Sequence, residues 1–262
     1  MGNYAGWSSQ AGFVQPGASA ALSTIWDLPW IDQPTLALAD GNNTIDGATW
    51  TGANAAAATT FEITNTQGLR ITAASGISRT WTTAAATAPS VRVNLSALTT
   101  IDWSRDLWVW TRMSDYNLPV TNNYVAGGLY AAATGSYSAT MIANGWSNAS
   151  GPFTQPTYQR NATIYANATQ SATPPTDQIG DVSVIKYTAD GQAISYIGTW
   201  SNGWPDPSSL IVTAKDGQPE SSAVVTLALL ASRANTQLVY TAMTRAGTGA
   251  PAMTISHSRI QQ

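Results

Sequence analysis

Cysteine is absent from the 262-residue chain, which removes disulfides and thiolate metal sites. Histidine occurs once, as His257, so a usual zinc site lacks ligands, and a Ser-His-Asp relay would have to use His257 in the last strand. Lysine and glutamate occur twice each, as Lys186 and Lys215, Glu62 and Glu220. Charged residues make up 10% of the chain, against about a quarter in ordinary globular domains. There is no run of Lys or Arg, and the net charge is −3, so the basic footprint of a nucleic-acid binder is missing. No apolar run approaches the ~20 residues of a membrane-spanning helix. The opening Met1-Gly2-Asn3-Tyr4-Ala5-Gly6-Trp7 has neither the basic nor the apolar region of a secretory signal. Gly6 stands where a myristoylation signal needs Ser or Thr.

Ala, Thr, Ser, Asn and Gly fill the space left by charge, together with 11 tryptophans. Strand and turn formers outnumber residues suited to exposed helix. The fold class expected is all-β, an antiparallel β-sandwich of short strands with scant helix. A chain of this length can bury roughly 70–75% of its unfolded surface, so it needs no covalent staples.

The pattern divides the chain at residue 34. Residues 1–34 are Gly/Ser/Ala/Gln-rich, with Trp7 and Phe13 as scattered anchors before the cluster Ile25-Trp26-Asp27-Leu28-Pro29-Trp30-Ile31. Prolines at this density oppose a central strand, and the segment reads as an extended N-terminal attachment arm docking through Trp7, Phe13, Trp26 and Trp30. The alternative is packing on its own domain. From residue 35 to 262 the pattern is regular, a single sandwich domain. Asp40-Gly41 and Asp46-Gly47 mark turns, Phe61–Thr64 and Leu69–Thr72 flank another, and Ile77–Thr82 is a weaker strand. Val91, Val93 and Leu95 alternate with polar residues, and Leu107–Met113 is a strand. A meander of Tyr124–Ala133, Tyr137–Ala143 and Tyr158–Ala166 follows, with Asn144-Gly145 as a turn. Two hairpins come next. Val182–Tyr187 and Ile194–Trp200 flank Asp190-Gly191, a dipeptide suited to primed turns, which pairs Tyr187 with Ile194 and Ile185 with Tyr196. Val224–Ala231 and Leu238–Arg245 form the second. Met253–Ile260 alternates Met253, Ile255 and His257 against Thr254, Ser256 and Ser258, and is expected beside an early strand.

The runs Val182–Gly198 and Val224–Met243 resemble the strand–Asp-Gly–strand unit and the paired late strands of concanavalin A-like (laminin G/lectin-type) jelly rolls. The resemblance extends over residues 36–262. Domains of this kind occur in tailed-phage fibres and head spikes and in gene transfer agents. The resemblance implies two stacked, curved antiparallel sheets and a non-enzymatic virion-surface protein that attaches to host surface polysaccharide. It also implies a homo-oligomer, a trimer in fibres and spikes, joined to other virion proteins through the arm. Release by lysis would reconcile an extracellular-looking composition with the missing signal; a mature fragment whose signal was removed would do so equally. A secreted carbohydrate-binding module or glycan hydrolase is the alternative. Hydrolytic members of the fold carry a Glu-x-Asp-x-x-Glu strand, which this sequence lacks.

Trp200-Ser201-Asn202-Gly203-Trp204-Pro205-Asp206 is the main candidate site, a loop in which two indoles flank amide and carboxylate groups. Trp146 and Asn148 repeat that chemistry in Asn144–Asn148. The carbohydrate-binding set is therefore Trp200, Asn202, Trp204, Asp206, Trp146 and Asn148, with plugging of the sandwich ends or subunit contact as the competing role. Trp108, Trp110 and Arg112 share one strand face; filling a core layer with Arg112 snorkelling out is preferred to a stacking platform. Asp102 and Asp106 suit turn capping better than calcium. No cofactor and no metal site is expected. Asn-x-Ser/Thr triplets at Asn42, Asn94, Asn148, Asn161 and Asn167 are frequent by chance in such a composition.

Overall fold

The computed structural model describes residues 22–53, 59–73, 89–119, 123–131, 141–147, 155–160, 163–166, 181–190, 193–215, 235–244 and 249–262. Among the described residues the strands, in order, are β1 Thr24–Pro29, β2 Leu36–Ala37, β3 Gly41–Ile45, β4 Ala48–Ala53, β5 Thr60–Thr64, β6 Gly68–Thr72, β7 Ser90–Asn94, β8 Leu107–Asn117, β9 Asn123–Ala131, β10 Met141–Ser147, β11 Gln155–Arg160, β12 Thr163–Ala166, β13 Val182–Tyr187, β14 Ala193–Gly198, β15 Ile211–Lys215, β16 Thr236–Thr244 and β17 Ala252–Gln261. Among the described residues the only α-helix is the single turn Leu95–Leu98. The first sheet has the order β15-β14-β13-β8-β17-β6-β5-β2, with β1 also on β17; the second is β12-β11-β10-β9-β16-β7-β4-β3. Every pairing is antiparallel. The fold is the antiparallel sandwich of jelly-roll type that the composition predicts. The final strand does lie beside early ones: β17 pairs with β6 through Ala252–Ile255 and with β1 through His257–Gln261.

Local chemistry sets the turns. Asp46 (φ 50°) and Gly47 (φ 75°) both sit in the left-handed region and join Ile45 to Ala48, the two-residue primed turn that strand twist favours. Asp190-Gly191 does otherwise. Tyr187 pairs with Ala193 and Ile185 with Ser195, a one-residue slip from the expected register that moves Tyr196 to the opposite face. The Asp106 carboxylate accepts from the Ala189 N–H at 3.1 Å and pairs with Lys186 Nζ at 2.7 Å, which ties the end of β13 and the residues after it to the turn before β8. Two other expectations are corrected. Asn144-Gly145 is not a turn but lies inside β10, where it pairs with β9 and β11. Tyr158–Ala166 is two antiparallel strands, not one. The expected strands Ile77–Thr82 and Val224–Ala231 lie outside the described residues.

The residues expected to form a separate arm are also corrected, as far as they are described. Thr24–Pro29 is a strand of the first sheet, Leu28 and Trp30 are buried, and Ile25 and Trp26 pack against the main core. Trp30 meets Trp50 edge-on at 4.9 Å between ring centroids, and Trp50 stacks on Tyr240 at 6.3 Å. Trp30 Nε1 donates to Ser258 Oγ at 2.8 Å, and the Tyr240 hydroxyl donates to the same oxygen at 2.6 Å. Trp30 and Ser258 belong to one sheet's side and Trp50 and Tyr240 to the other, so this cluster ties the layers together. Burial pushes the Tyr240 hydroxyl well above the usual phenol range. Trp30, with no exposed surface, is not available as a docking anchor. Trp7 and Phe13 lie outside the described residues.

Beyond the cluster, Ser23 and Gln262 exchange two backbone hydrogen bonds, of 2.8 and 3.0 Å. The Gln262 side chain reaches Asp102, accepting from its N–H at 2.9 Å and donating to its carbonyl at 2.7 Å.

Candidate functional site

Alternation along β8 sends Leu107, Val109 and Met113 into the core and Trp108, Trp110 and Arg112 to the face turned away from the second sheet. Their cross-strand neighbours share that face: Lys186, Val184 and Val182 on β13, and Gln261, Arg259 and His257 on β17. The sequence groups His257 with Met253 and Ile255. The pairing of β17 with β8 shifts between Ile255 and His257, and this bulge turns Ser258 and Ile260 inward and His257 and Arg259 outward.

Trp110, Val182 and Val184 form a small apolar cluster separate from the main core, covered by Trp200, Trp204 and Leu210. The cover is the irregular segment between β14 and β15. It folds back tightly: a Cβ on Gly198 would lie 2.7 Å from Leu210 Cδ2 and 2.9 Å from Pro205 Cγ. Asp181 anchors the segment. One carboxylate oxygen accepts from the Trp200 N–H at 2.6 Å, the other from Arg112 Nε at 3.4 Å. Trp200 stacks on His257 at 4.7 Å, and Trp204 stands edge-on to Trp200 at 5.0 Å and to Trp110 at 5.9 Å. Asp206 accepts from the Ser208 N–H at 2.8 Å and its hydroxyl at 2.5 Å, capping a short 3-10 turn at Pro207–Ser209.

Three cations interleave with these rings, each held by a carboxylate. Lys186 Nζ lies 5.1 Å from the Trp108 centroid and pairs with Asp106. The Arg259 guanidinium lies 5.2 Å from Trp204 and pairs with Asp27 at 2.6 Å. The Arg112 guanidinium lies 4.5 Å from Trp200 and pairs with Asp181. Partly exposed ion pairs contribute about 0–1 kcal/mol each and cation–π contacts on the order of 0.5–1 kcal/mol. Repeated three times, the arrangement fixes the rings in place more than it adds stability.

Beside Trp204 opens a groove of about 870 Å3, within the size range of small-ligand sites. Its apolar surfaces are Trp108, Trp204, Pro205 and Leu22; its polar groups include Arg105, Asp106, Lys186, Asp206 and Arg259. The Trp108 ring centroid lies 5.5 Å from that of Tyr196 and 6.0 Å from that of Trp110. Of the residues expected to bind carbohydrate, Trp204 and Asp206 reach this groove. Trp200 lies behind Trp204, and Asn202 sits exposed at the tip of the segment in a left-handed conformation (φ 57°). Trp146 belongs to β10 in the second sheet, so the structure does not join it to this loop; Asn148 lies outside the described residues. The core reading holds for Trp110, which is buried, but not for Trp108, which faces the groove. Arg112 does not simply snorkel, being held by Asp181. The contributions of Arg105, Lys186 and Arg259 were not singled out by the sequence; only the strand period, applied after the bulge, reveals Arg259.

Ser104 donates to Asp102 Oδ1 through its N–H at 3.0 Å and its hydroxyl at 2.6 Å, the turn-capping role preferred above. Among the described residues no group of three or more His, Asp or Glu is placed to hold a metal.

Burial, reinforced by the charge of Arg112 and opposed by Asp27 and Asp32, lowers the His257 pKa below its usual 6.5. With the folded value below the unfolded one, the unfolded chain binds more protons between the two. Stability is therefore expected to fall as pH drops from about 6.5 through the depressed value, and then level off. A His257→Gln variant followed by urea unfolding from pH 7.5 to 4.5 should lose this slope; an unchanged slope would remove His257 as its source.

No protein-family model matches the sequence, and no curated protein matches it. The fold is similar to several solved structures. They include an endo-1,3-β-glucanase from Streptomyces sioyaensis (10% identity, 94% of this chain and 98% of that chain, TM-score 0.49). A lectin from Bauhinia forficata in complex with GalNAc is another (10%, 88% and 98%, 0.43), as is lectin II from Ulex europaeus (10%, 88% and 99%, 0.40). At these identities no site residue carries over, and a hydrolase stands beside lectins, so the likeness does not separate binding from hydrolysis.

Proposed function

We propose that the domain is a non-enzymatic glycan-binding module whose site is the groove beside Trp108 and Trp204, and that it serves as an attachment protein at a virion surface. The observation that carries the binding reading is the pair of indoles, each braced by a cation and a carboxylate, at a solvent-open groove. Tryptophan faces pack against sugar C–H groups, while the interleaved charges supply donors and acceptors to hydroxyls. The absence of hydrolysis is argued from the carboxylates. Asp206 donor contacts from Ser208 hold its carboxyl below the usual range, whereas a glycosidase acid needs a raised pKa. Asp106 is committed to Lys186 and Ala189, and Glu62 lies on β5, near the far edge of the sheet.

A glycan array followed by calorimetry on the full chain tests this. Trp108→Ala should weaken binding about tenfold or more, with a stability loss smaller than that of a fully buried tryptophan; a stable variant with full affinity would sink the reading. Steady release of reducing sugar from any bound polysaccharide would replace the reading with the hydrolase alternative. The virion role rests on the resemblance and carries with it a homo-oligomer, a trimer by analogy with fibres and spikes. Light scattering on the full chain tests that number, and a monomer would remove it.

A further inference from the structure

Building on the glycan-binding reading, we infer that the groove takes an acidic glycan, with a sugar carboxylate held by Arg105 and the adjoining ring laid against Trp108. The groove is lined by three cations, Arg105, Lys186 and Arg259, and two carboxylates, Asp106 and Asp206. The charges are not equally available. Lys186 is spent on Asp106 at 2.7 Å and Arg259 on Asp27 at 2.6 Å. Asp206 is occupied by both donors of Ser208. Arg105 makes no salt bridge among the described residues, though its charge acts on the neighbouring Asp102 carboxylate; its backbone N–H closes the turn onto the Asp102 carbonyl at 3.1 Å, and the exposed residue lines the groove.

A guanidinium offers two parallel N–H donors to a planar carboxylate, and such charge-assisted pairs are roughly twice as strong as neutral hydrogen bonds. A neutral glycan would leave this donor fork without a counter-charge, while a uronate or sialate supplies one. The backbone that carries Arg105 is fixed by Asp102 and by the Gln262 side chain, so the guanidinium is presented from a braced turn.

The experiment is calorimetry on the full chain with three acidic probes, tetragalacturonate, a mannuronate oligomer and sialyllactose. Their neutral counterparts are methyl-esterified tetragalacturonate, mannotetraose and lactose. At least one acidic probe should bind about tenfold or more tighter than its neutral partner, and the margin should shrink as salt is raised. Arg105→Gln, an exposed substitution with little effect on stability, should lower that affinity about tenfold or more while lowering neutral binding by a much smaller factor. Equal affinity for acidic and neutral partners, or full acidic affinity in Arg105→Gln, overturns the acidic-ligand inference while leaving glycan binding intact. Absence of binding to every probe in both series overturns the groove reading as well.

Discussion

Replacing Trp30 by alanine is expected to destabilise the protein by about 3–5 kcal/mol, the range for truncating a fully buried tryptophan. Three losses coincide. The ring leaves a void between the sheets beside Trp50 and Tyr240. Ser258 Oγ loses one of its two buried partners. The start of the chain also loses its main anchor onto β17. Trp30→Phe separates these: it keeps most of the apolar contact and loses only the N–H, for an expected cost of about 1–2 kcal/mol. A chain beginning at Thr35 removes Trp30 together with β1 and its pairing to Gln261–His257, and should show no cooperative transition. Thermal and urea unfolding followed by circular dichroism reads all three. If the shortened chain melted like the full one, residues 24–34 would be an appendage after all.

Trp204→Ala is expected to have the largest effect at the site. The side chain touches Trp110, Trp200, His257 and Arg259 and closes the outer apolar cluster. Because one side faces the groove, the stability loss should fall below that of a core tryptophan, at about 2–3 kcal/mol, or roughly 5–10 °C in melting temperature. Glycan binding should vanish, since the variant removes a wall of the groove and uncovers Trp110. Trp204→Phe should recover most of the stability and part of the binding. A Trp204→Ala variant that binds normally would move the site away from this groove.

The parts of this molecule that short-range chemistry decides were legible in the sequence. Asp46-Gly47 demanded left-handed backbone and formed its turn. Val91 and Val93 alternated and were buried. The loop at Trp200–Asp206 was marked by composition and does bound the groove. Long-range partners decided the rest. Asp106, more than 80 residues away in sequence, holds the Ala189 N–H beside a hairpin whose register differs by one residue from the expected one. A bulge opposite β8 reversed the faces of β17 and brought out His257 and Arg259. Trp26 and Trp30 looked like an exposed arm because prolines flank them, yet β17 offered an open edge beyond β6 that a Pro-rich edge strand can occupy. Arg105 carries no sequence signal at all; its role depends on which neighbouring charges are already paired.

The Ser23–Gln262 pairing sets two positions far apart in the sequence side by side. A peptide of a few residues joining these two positions would cost little closure entropy, so the order of strands along the chain can be cut and rejoined without altering which strands are neighbours. Leu22 and Gln262 also border the groove. A reporter or a second binding unit fused at either position would therefore emerge at the mouth of the ligand site, where it can sense occupancy directly or be brought to bear on the same glycan strand.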